Sequence, residues 1–338
     1  MKALLSETAG GPDTLHVSEV ANPTYGDGDV LIRVGFCAIN YPDALLIEDK
    51  YQFKPQRPFS PGTEVAGIVE EVGSKVENWR KGDRVIAFTS TAGGLAEFLV
   101  VPAFRVFALP DRFSMEQGSA LLLTYATTLH ALLDRGQLQP GETILVLGAA
   151  GGTGIAAIEI GKALGAKVIA AVSSPEKAAA AKEAGADKTI LYPRDVSGPE
   201  QQKAIATAFK EAAGSAGVNI VYDPVGGDYA EPAIRSLGWG GRYLVIGFTA
   251  GIPRIPLNLT LLKSCDIRGV FWGAFMDHAP EHNRQNVDQL FAWWQKGKIN
   301  PRIDRIFPLE NGADAIQRVK DRKAVGKVIV QLDASMAA

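Results

Sequence analysis

The stretch VLGAAGGTGIAAIEIGKALGA, from Val146 to Ala166, decides the fold. It joins an apolar strand to an alanine-rich helix through Gly148, Gly151, Gly152 and Gly154. Glycines at such a turn permit a tight bend and let the backbone approach a phosphate, while the helix N-terminus offers unpaired N–H groups to an anion. The spacing G-x-x-G-x-x-G departs from the usual G-x-G-x-x-G, so the turn predicts a pyrophosphate-binding loop only together with its surroundings.

The surroundings of this turn alternate strands with helices. Helical windows separate the apolar runs TILVLG, KVIAAV, KTILY, NIVYD and RYLVIG, which begin at Thr143, Lys167, Lys188, Asn219 and Arg242. This alternation implies right-handed βαβ units, and therefore an α/β fold with a doubly wound parallel sheet. Residues 1–110 instead carry short apolar runs between Gly, Pro and Asp clusters. That texture predicts a second, β-rich domain shaped as a small, partly open barrel.

Composition excludes several classes of partner. The chain has 338 residues and a formal net charge of −2, without the basic excess that a nucleic-acid-binding protein needs. The apolar run in its N-terminus, MKALLSETAGG, is too short for a signal peptide, and no segment reaches the roughly 18 apolar residues of a membrane span. We therefore expect a cytoplasmic protein that acts on a small molecule and binds neither nucleic acid nor membrane.

The end of the second strand of the alternating region indicates which dinucleotide binds. KVIAAV is followed by Ser173-Ser174-Pro175-Glu176-Lys177, with no Asp or Glu at the position that binds a ribose 2′-hydroxyl in NAD sites. Small polar and basic groups there suit a 2′-phosphate, so we predict NADPH, held by Ser173, Lys177 and Tyr192. The alternative is that Lys177 is a solvated helix residue and Tyr192 a loop aromatic.

Four further motifs run through the chain in order. They are PFSPGTEVAGIVEEVG, TYATTLHALLDRGQLQPGETILVLGAAGGTG, VYDPVGGD and DRKAVGKVIV, at 58–73, 124–154, 221–228 and 321–330. With them the chain resembles the zinc-independent quinone oxidoreductases, relatives of zeta-crystallin in the medium-chain dehydrogenase/reductase superfamily. The resemblance implies a Rossmann NADPH-binding domain over 123–263 and a GroES-like catalytic domain over 1–122 and 264–338.

The ligands that zinc-dependent members of that superfamily use are replaced here. Asn40 stands where they carry an early cysteine, and Thr63 replaces the histidine of their Gly-His-Glu motif. The four-cysteine structural lobe is absent, since the chain contains only Cys37 and Cys265. Because zinc requires converging sulfur or imidazole ligands, we expect no metal site. The histidines lie in unrelated segments, at His16, His130, His278 and His282.

The resemblance also implies the cofactor contacts. Arg322 joins the residues expected at the 2′-phosphate, and Asn40 and Thr127 are expected near the nicotinamide and its ribose. Phe248 and Trp272 lie on loops that approach the carboxamide through backbone groups, or else pack in the core or a dimer interface. The full expected cofactor-binding set is Asn40, Thr127, Gly148, Ala150, Gly151, Gly152, Thr153, Gly154, Ser173, Lys177, Tyr192, Val225, Phe248, Phe271, Trp272 and Arg322.

The expected activity is metal-free hydride transfer from NADPH to a quinone, whose delocalised oxyanion takes its proton from solvent. One alternative is reduction of 2-enoyl-CoA or α,β-unsaturated carbonyls, which needs a general acid. Tyr51 is the candidate acid, although it equally fits a loop tyrosine packed on Phe53. Asn40 and Asp43 complete the candidate catalytic set, with Asp43 orienting the Asn40 loop. A further alternative is a low-turnover NADPH-binding protein with a structural or sensor role.

Loops near Tyr51, 91–95 and 271–276 are expected to select the acceptor. The basic side chains Lys50, Lys54 and Arg57 either attract a CoA phosphate or form a solvated loop. The resemblance implies a homodimer that pairs through the edge of the nucleotide-domain sheet, and the apolar run 267–272 is a suitable edge strand.

Overall fold

A computed structural model describes residues 1–89, 92–193, 196 and 198–336. Thr91, at the start of one expected acceptor loop, lies outside the described residues. The strands are β1 (Lys2–Leu5), β2 (His16–Glu19), β3 (Asp29–Ile39), β4 (Glu64–Val72), β5 (Arg84–Phe88), β6 (Phe98–Pro102), β7 (Val106–Ala108), β8 (Thr143–Val146), β9 (Lys167–Val172), β10 (Lys188–Leu191), β11 (Val218–Asp223), β12 (Leu237–Val245), β13 (Asp266–Gly269), β14 (Ile303–Pro308) and β15 (Lys327–Gln331).

The helices are α1 (Tyr41–Ile47), α2 (Met115–Ser119), α3 (Thr127–Leu129), α4 (Gly152–Ala163), α5 (Pro175–Glu183), α6 (Pro199–Ala213), α7 (Ala230–Arg235), α8 (Asn258–Lys263), α9 (Trp272–His278), α10 (Pro280–Gln295) and α11 (Gly312–Lys320). Two π-helical segments, Leu122–Ala126 and His130–Arg135, flank α3. Within the described ranges, no helix is long and apolar enough to cross a membrane.

The chain divides into two compact units. The first unit comprises residues 1–123 and 301–338, and the second comprises 124–300. The division after 123 lies next to the predicted boundary, whereas the return lies after residue 300 and differs from the boundary expected after 263. Residues 264–300 belong to the second unit because β13 pairs in parallel with β12. The sequence indicates a strand here but not the domain boundary, since β13 is four residues long and is followed by the helices α9 and α10.

The second unit contains a parallel sheet in the order β10-β9-β8-β11-β12-β13. Its central strands are largely buried, as expected where helices cover both faces; Val168, Ala170 and Ala171 of β9, for example, are fully shielded from solvent. The edge strands β10 and β13 are exposed or half-buried. This order confirms the predicted doubly wound sheet. The chain reverses direction across the sheet between β8 and β11, and ligands of such folds bind at the carboxyl ends of the strands beside that point.

The first unit is built on a largely antiparallel sheet in the order β14-β15-β3-β4-β5-β7, with β6 also paired to β3. The long strand β3 pairs with β4 on one side, while its first half pairs with β6 and its second half with β15 on the other. Because β14 and β7 end the order without pairing to each other, the sheet agrees with the predicted partly open barrel. Alternating residues of these strands form the core, which includes Val30, Ile32, Val34, Val65, Val69, Val85, Val328 and Val330.

Candidate active site

The glycine-rich turn between β8 and α4 contains two glycines that the fold itself requires. Gly148 has a φ of +58°, a left-handed conformation that side chains disfavour. A Cβ added at Gly154 would lie 2.4 Å from the carbonyl oxygen of Gly148, so this glycine permits the close approach of helix and turn. Both residues are therefore explained without a ligand.

Gly151 is different, because no contact among the described residues requires a glycine there. Its φ is −75°, and an added Cβ would meet only the Gly148 carbonyl oxygen, at the ordinary contact distance of 3.5 Å. Gly151 directly precedes α4, whose first turn presents the backbone N–H groups of Gly152 and Thr153. The turn thus leaves open, at a helix N-terminus, the space that a side chain would fill, and this geometry fits a bound pyrophosphate.

A buried tyrosine joins this helix to the segment that carries Thr127. The hydroxyl of Tyr222, at the end of β11, lies 2.8 Å from Oγ1 of Thr128 and also hydrogen-bonds the side chain of Thr153. Burial raises the pKa of Tyr222, so the hydroxyl remains protonated. Neighbouring Thr127 is only partly buried. The position of the glycine turn relative to α3 is therefore held by side chains that sequence reasoning did not single out.

The predicted 2′-phosphate residues lie at the carboxyl ends of two adjacent strands. In the register of β9 and β10, Leu191 is the partner of Val172, and the N–H of Tyr192 donates to the carbonyl of Val172 at 2.9 Å. Ser173 and Tyr192 thus follow the last paired residues of neighbouring strands. Ser174 caps α5 by accepting from the N–H of Lys177 at 3.3 Å, which places Lys177 in the first helical turn. No acidic residue ends β9.

The loop after β11 is held by a buried carboxylate. Asp223 accepts from the N–H groups of Val225 and Gly226, at 2.7 and 2.8 Å, and from the hydroxyl of Tyr243. Burial raises the pKa of Asp223. These bonds fix the backbone at Val225, one of the expected cofactor-binding residues.

The expected nicotinamide aromatics differ in exposure. Phe248 and Phe271 are 39% and 54% exposed, on the loops that follow β12 and β13. Trp272 is buried, and its indole N–H donates to Oδ1 of Asn283 at 2.7 Å. Its side chain is therefore committed to packing and only its backbone remains for a ligand. Trp272 also begins α9, so the expected strand 267–272 ends earlier, at Gly269.

The first unit contains a buried polar group, here called the Asn40 cluster, formed by Asn40, Asp43, Glu64 and Lys327. Three neighbouring strands bring it together, because Ala38 of β3 is the partner of Glu64 of β4, and Ile39 is the partner of Val328 of β15. Asn40 follows β3, and Lys327 begins β15. Residues far apart in sequence thus meet at one end of three adjacent strands.

Hydrogen bonds connect the members of the Asn40 cluster. The ammonium of Lys327 donates to Oδ1 of Asn40 and, at 3.1 Å, to Oε2 of Glu64. The Asn40 amide nitrogen donates to the carbonyl of Ala38 at 3.2 Å and to Oε2 of Glu64 at 3.3 Å. Oε1 of Glu64 accepts from the N–H of Leu123 at 2.8 Å. Every member is less than a tenth exposed, so the charges are paired away from water.

Asp43 holds the backbone on both sides of the cluster. Its carboxylate accepts from the N–H of Asn40 at 2.7 Å and from that of Gly62 at 3.1 Å. Burial raises its pKa to about 6 despite these bonds. Asp43 thus orients the start of α1, and its place in the candidate catalytic set stays a prediction.

The remaining candidates of the first unit lie on loops. Tyr51 packs partly buried against the core, and its ring lies 6.2 Å from that of Phe53. Burial, together with the nearby charge of Asp43, raises the pKa of Tyr51. Arg322 follows α11 with a φ of +57°. Neither geometry tests the proton-donor role of Tyr51 or the phosphate role of Arg322, and both stay predictions.

Side chains of other types occupy the positions that hold the zinc ligands in related enzymes. Thr63 is buried beside the Asn40 cluster, and burial raises the pKa of the Cys37 thiol well above its usual value. In the part of the chain that the structure describes, no group of three or more His, Cys, Asp or Glu side chains could hold a metal ion.

Sequence reasoning singled out neither Lys327 nor Glu64 as a site residue. One signal was present, since Lys327 opens the otherwise apolar strand KVIV, a position at which a lysine is buried only when it is paired. Tyr222 and Asp223 lie in the quoted motif VYDPVGGD, but their contacts depend on Thr128, Thr153 and Tyr243, which no spacing connects to them.

Comparisons with known proteins match both units. The alcohol dehydrogenase GroES-like domain model matches residues 26–111, and the zinc-binding dehydrogenase model matches 152–292. The quinone oxidoreductase-like protein 2 homolog of Nematostella vectensis is 38% identical over 90% of this chain and 82% of its own. The structure of Escherichia coli quinone oxidoreductase complexed with NADPH is 27% identical, with a TM-score of 0.89 over 98% of this chain and all of that one. CurK enoyl reductase is 26% identical, with a TM-score of 0.85 over 98% and 99%.

These matches cover nearly the whole chain and confirm the resemblance and the fold class expected from the sequence. They place the protein among the oxidoreductases, with a GroES-like unit followed by a Rossmann unit. The chain belongs to the zinc-independent quinone oxidoreductase branch of the medium-chain dehydrogenase/reductase superfamily.

Proposed function

We propose that this protein is an NADPH-dependent reductase of quinones. The observation that carries the proposal is the group at the carboxyl ends of β9 and β10, where Ser173, Lys177 and Tyr192 stand in place of an acidic residue. Such a group favours a 2′-phosphate over a free 2′-hydroxyl. The E. coli relative whose structure contains NADPH supports the same cofactor.

The residues of the second unit fit this cofactor. The space at Gly151 and the N–H groups of α4 would hold the pyrophosphate, and the loop fixed by Asp223 would border it. When bound, NADPH supplies a hydride. The chain's own contribution is to fix, through Tyr222 and Asp223, the backbone that orients the dinucleotide. Little further entropy is then lost when the reactive geometry is reached.

We propose further that hydride transfer from NADPH by this protein needs no catalytic zinc ion. At the positions of the zinc ligands the chain offers an amide, Asn40, and a hydroxyl, Thr63. The ammonium of Lys327 already hydrogen-bonds Asn40 and Glu64, and a second cation beside it would be repelled. This donor set does not fit zinc, which takes converging sulfur and imidazole ligands. Stoichiometric zinc in the purified active enzyme would refute this proposal.

The choice of quinones over CoA thioesters rests on the loop after α1. Lys50 pairs with Glu48 at 2.8 Å, and Arg57 donates to Asp49 at 2.8 Å and to the carbonyl of Ile47 at 2.9 Å. These cations are already paired with neighbours, which favours the solvated-loop interpretation over a site for CoA phosphates. A quinone also needs no positioned acid, because its reduced oxygen can be protonated by solvent.

Enone or enoyl-thioester reduction is the second candidate. Tyr51 favours it, because a phenol carries its proton at neutral pH and could donate the proton that this reaction needs. The likeness to CurK enoyl reductase adds support from a protein of related fold.

A panel of acceptors tests these alternatives. NADPH oxidation at 340 nm is followed with 1,2- and 1,4-quinones, crotonyl-CoA and small 2-enals, and each reaction is repeated with NADH. We expect the highest kcat/KM with a quinone and NADPH. A preference for crotonyl-CoA or the enals would establish the second candidate instead. Tight NADPH binding without turnover of any acceptor would favour the low-turnover binding protein.

We also propose a homodimer formed through β13. In the sheet order β13 is an edge strand, and apolar side chains of the segment that precedes it in the sequence are exposed, including Ile252 at 81%, Leu257 at 71% and Leu261 at 77%. An apolar surface beside an open edge is suited to pair with a second copy. Light scattering should give twice the chain mass, and Leu261→Glu should shift it toward the monomer. A wild-type monomer at micromolar concentration would contradict this.

A further inference from the structure

A chain of buried hydroxyl groups in the second unit ends at the glycine turn. The hydroxyl of Thr128 donates to the carbonyl of Thr124 at 2.7 Å. The hydroxyl of Tyr222 lies 2.8 Å from Oγ1 of Thr128 and also hydrogen-bonds the side chain of Thr153. These residues all belong to the unit 124–300. Because Thr153 lies in the first turn of α4, the chain connects the interior of the unit to the start of that helix.

The order of the hydrogens along this chain follows from its inner end. A carbonyl oxygen can only accept, so the single hydrogen of the Thr128 hydroxyl is committed to Thr124. The contact between Thr128 and Tyr222 is then a hydrogen bond only if Tyr222 donates. Since its own hydrogen is used there, the Tyr222 oxygen can only accept from Thr153. Any other order would leave two buried oxygens in contact, at 2.7 or 2.8 Å, without a hydrogen between them.

This order decides what Thr153 can offer to a ligand. The hydrogen of its hydroxyl is directed at Tyr222, and the oxygens of a bound pyrophosphate can only accept hydrogen bonds. The side chain of Thr153 therefore has no hydrogen to donate to them. Its backbone N–H remains for an anion, because the N–H groups of a first helical turn have no partner within the helix. The side chain fastens the turn, and the backbone is left to bind.

Tyr222 is well suited to hold this turn, because its own backbone is fixed in the centre of the sheet. It is fully buried in β11, where it is the partner of Val146 in β8, and its carbonyl accepts from the N–H of Leu147 at 3.0 Å. The strand that leads into the glycine turn and the strand that carries Tyr222 are therefore hydrogen-bonded neighbours. The phenol hydroxyl is a fixed point to which the start of α4 is attached.

We propose that Tyr222 is a positioning residue for the dinucleotide: it accepts the hydroxyl hydrogen of Thr153 and so holds the first turn of α4 where its backbone N–H groups meet the pyrophosphate. Tyr222 does this without touching the ligand, and the Thr153 hydroxyl makes no hydrogen bond to the pyrophosphate. The proposal rests on the proposed function, since it assumes that the dinucleotide binds at this turn; the choice of quinone or enone acceptor does not affect it.

The test is a double-mutant cycle on NADPH affinity. Tyr222→Phe removes the acceptor, Thr153→Val removes the donor with little change in side-chain volume, and the double variant lacks both. Thr153→Ser retains the hydroxyl and is the matched control. Thermal unfolding first establishes that each variant is folded. Dissociation constants are then measured for NADPH and for adenosine 2′-monophosphate, which carries the 2′-phosphate but lacks the pyrophosphate.

We expect NADPH to bind about three- to tenfold more weakly to Tyr222→Phe, to Thr153→Val and to the double variant, with nearly equal losses, because each lacks the same link. Thr153→Ser should keep NADPH affinity within about twofold, and the monophosphate should bind every variant within about twofold of wild type.

A loss in Thr153→Val without one in Tyr222→Phe would overturn the proposal, since the hydroxyl would then donate directly to the pyrophosphate. Additive losses in the double variant would overturn it, because the two side chains would then act independently. Equal losses for the two ligands, equal losses in Thr153→Ser and Thr153→Val, or no loss in any variant would do the same.

Amide hydrogen exchange decides the question should Tyr222→Phe not fold. In the ligand-free protein the N–H of Ile155 donates to the carbonyl of Gly151 at 2.9 Å and closes the first turn of α4. Thr153→Val should speed the exchange of this amide about three- to tenfold, whereas Thr153→Ser should keep it within about twofold. Unchanged exchange in Thr153→Val would overturn the proposal. A wild-type protein that binds no NADPH would instead refute the proposed function, and the exchange rates would show separately whether Thr153 holds the turn.

Discussion

Glu159, on the helix that follows the glycine turn, should make the stability of this protein fall as the pH rises. Its Oε2 accepts from the hydroxyl of Tyr125 at 2.8 Å and from the N–H of Asn300 at 2.9 Å. These two residues lie near the start and the end of the second unit, 124–300. Burial raises the pKa of Glu159 to about 7 even though both bonds favour the charged form.

The size of this pH-dependent loss of stability follows from the pKa of Glu159 in the unfolded and in the folded protein. In the unfolded chain the carboxyl titrates near its ordinary value of 4.5, whereas in the folded protein it retains its proton up to about pH 7. Between these values the folded state binds more protons, so the free energy of unfolding decreases as the pH rises. One pKa unit corresponds to about 1.4 kcal/mol, so the loss amounts to roughly 3 kcal/mol and is complete above about pH 8.

Glu159→Gln isolates this effect. The variant keeps an oxygen to accept from Tyr125 and Asn300 but cannot ionise, so it should lack this loss. We expect similar melting temperatures for the two proteins near pH 5, and a variant that melts some 6 to 12 °C higher at pH 8, given roughly 2 to 4 °C per kcal/mol. The difference between the proteins is the informative quantity, because Asp43, whose pKa is about 6, contributes to both curves. A difference that stays constant from pH 5 to pH 8, or has the opposite sign, would refute the reasoning.

Three further predictions concern ligand binding and turnover. Gly151→Ala should change the free energy of unfolding by less than about 1 kcal/mol while raising the NADPH dissociation constant at least about tenfold; Gly28→Ala, at an open glycine of the first unit, is the control and should change neither. Lys177→Ala should weaken NADPH about 10- to 100-fold in titration calorimetry and NADH less than about twofold, and equal losses would exclude a 2′-phosphate contact. Tyr51→Phe should leave quinone turnover within about twofold and lower any enone turnover by about 100-fold; unchanged enone turnover would show that Tyr51 is not the acid.

The fold of the second unit could be predicted from local patterns alone. The alternation of buried strands and helices, the glycines between β8 and α4 and the missing acid after β9 are all readable over short stretches of chain. These features can be predicted because each depends on local backbone geometry or on the residues at a single strand end. The boundary expected after residue 263 was wrong for the opposite reason, since only the pairing of β13 with β12 assigns the residues after 263 to the second unit.

The Asn40 cluster, in contrast, was decided by the tertiary structure. Asn40, Glu64 and Lys327 are separated by as many as 287 positions, and only the register of β15, β3 and β4 brings them together. The same holds for Glu159, whose two partners come from opposite ends of the second unit. The sequence by itself determined which strands and turns form and which nucleotide the chain is suited to bind. Strand pairing over long distances determined which charges are buried together, because burial and its electrostatic consequences depend on neighbours that no local pattern specifies.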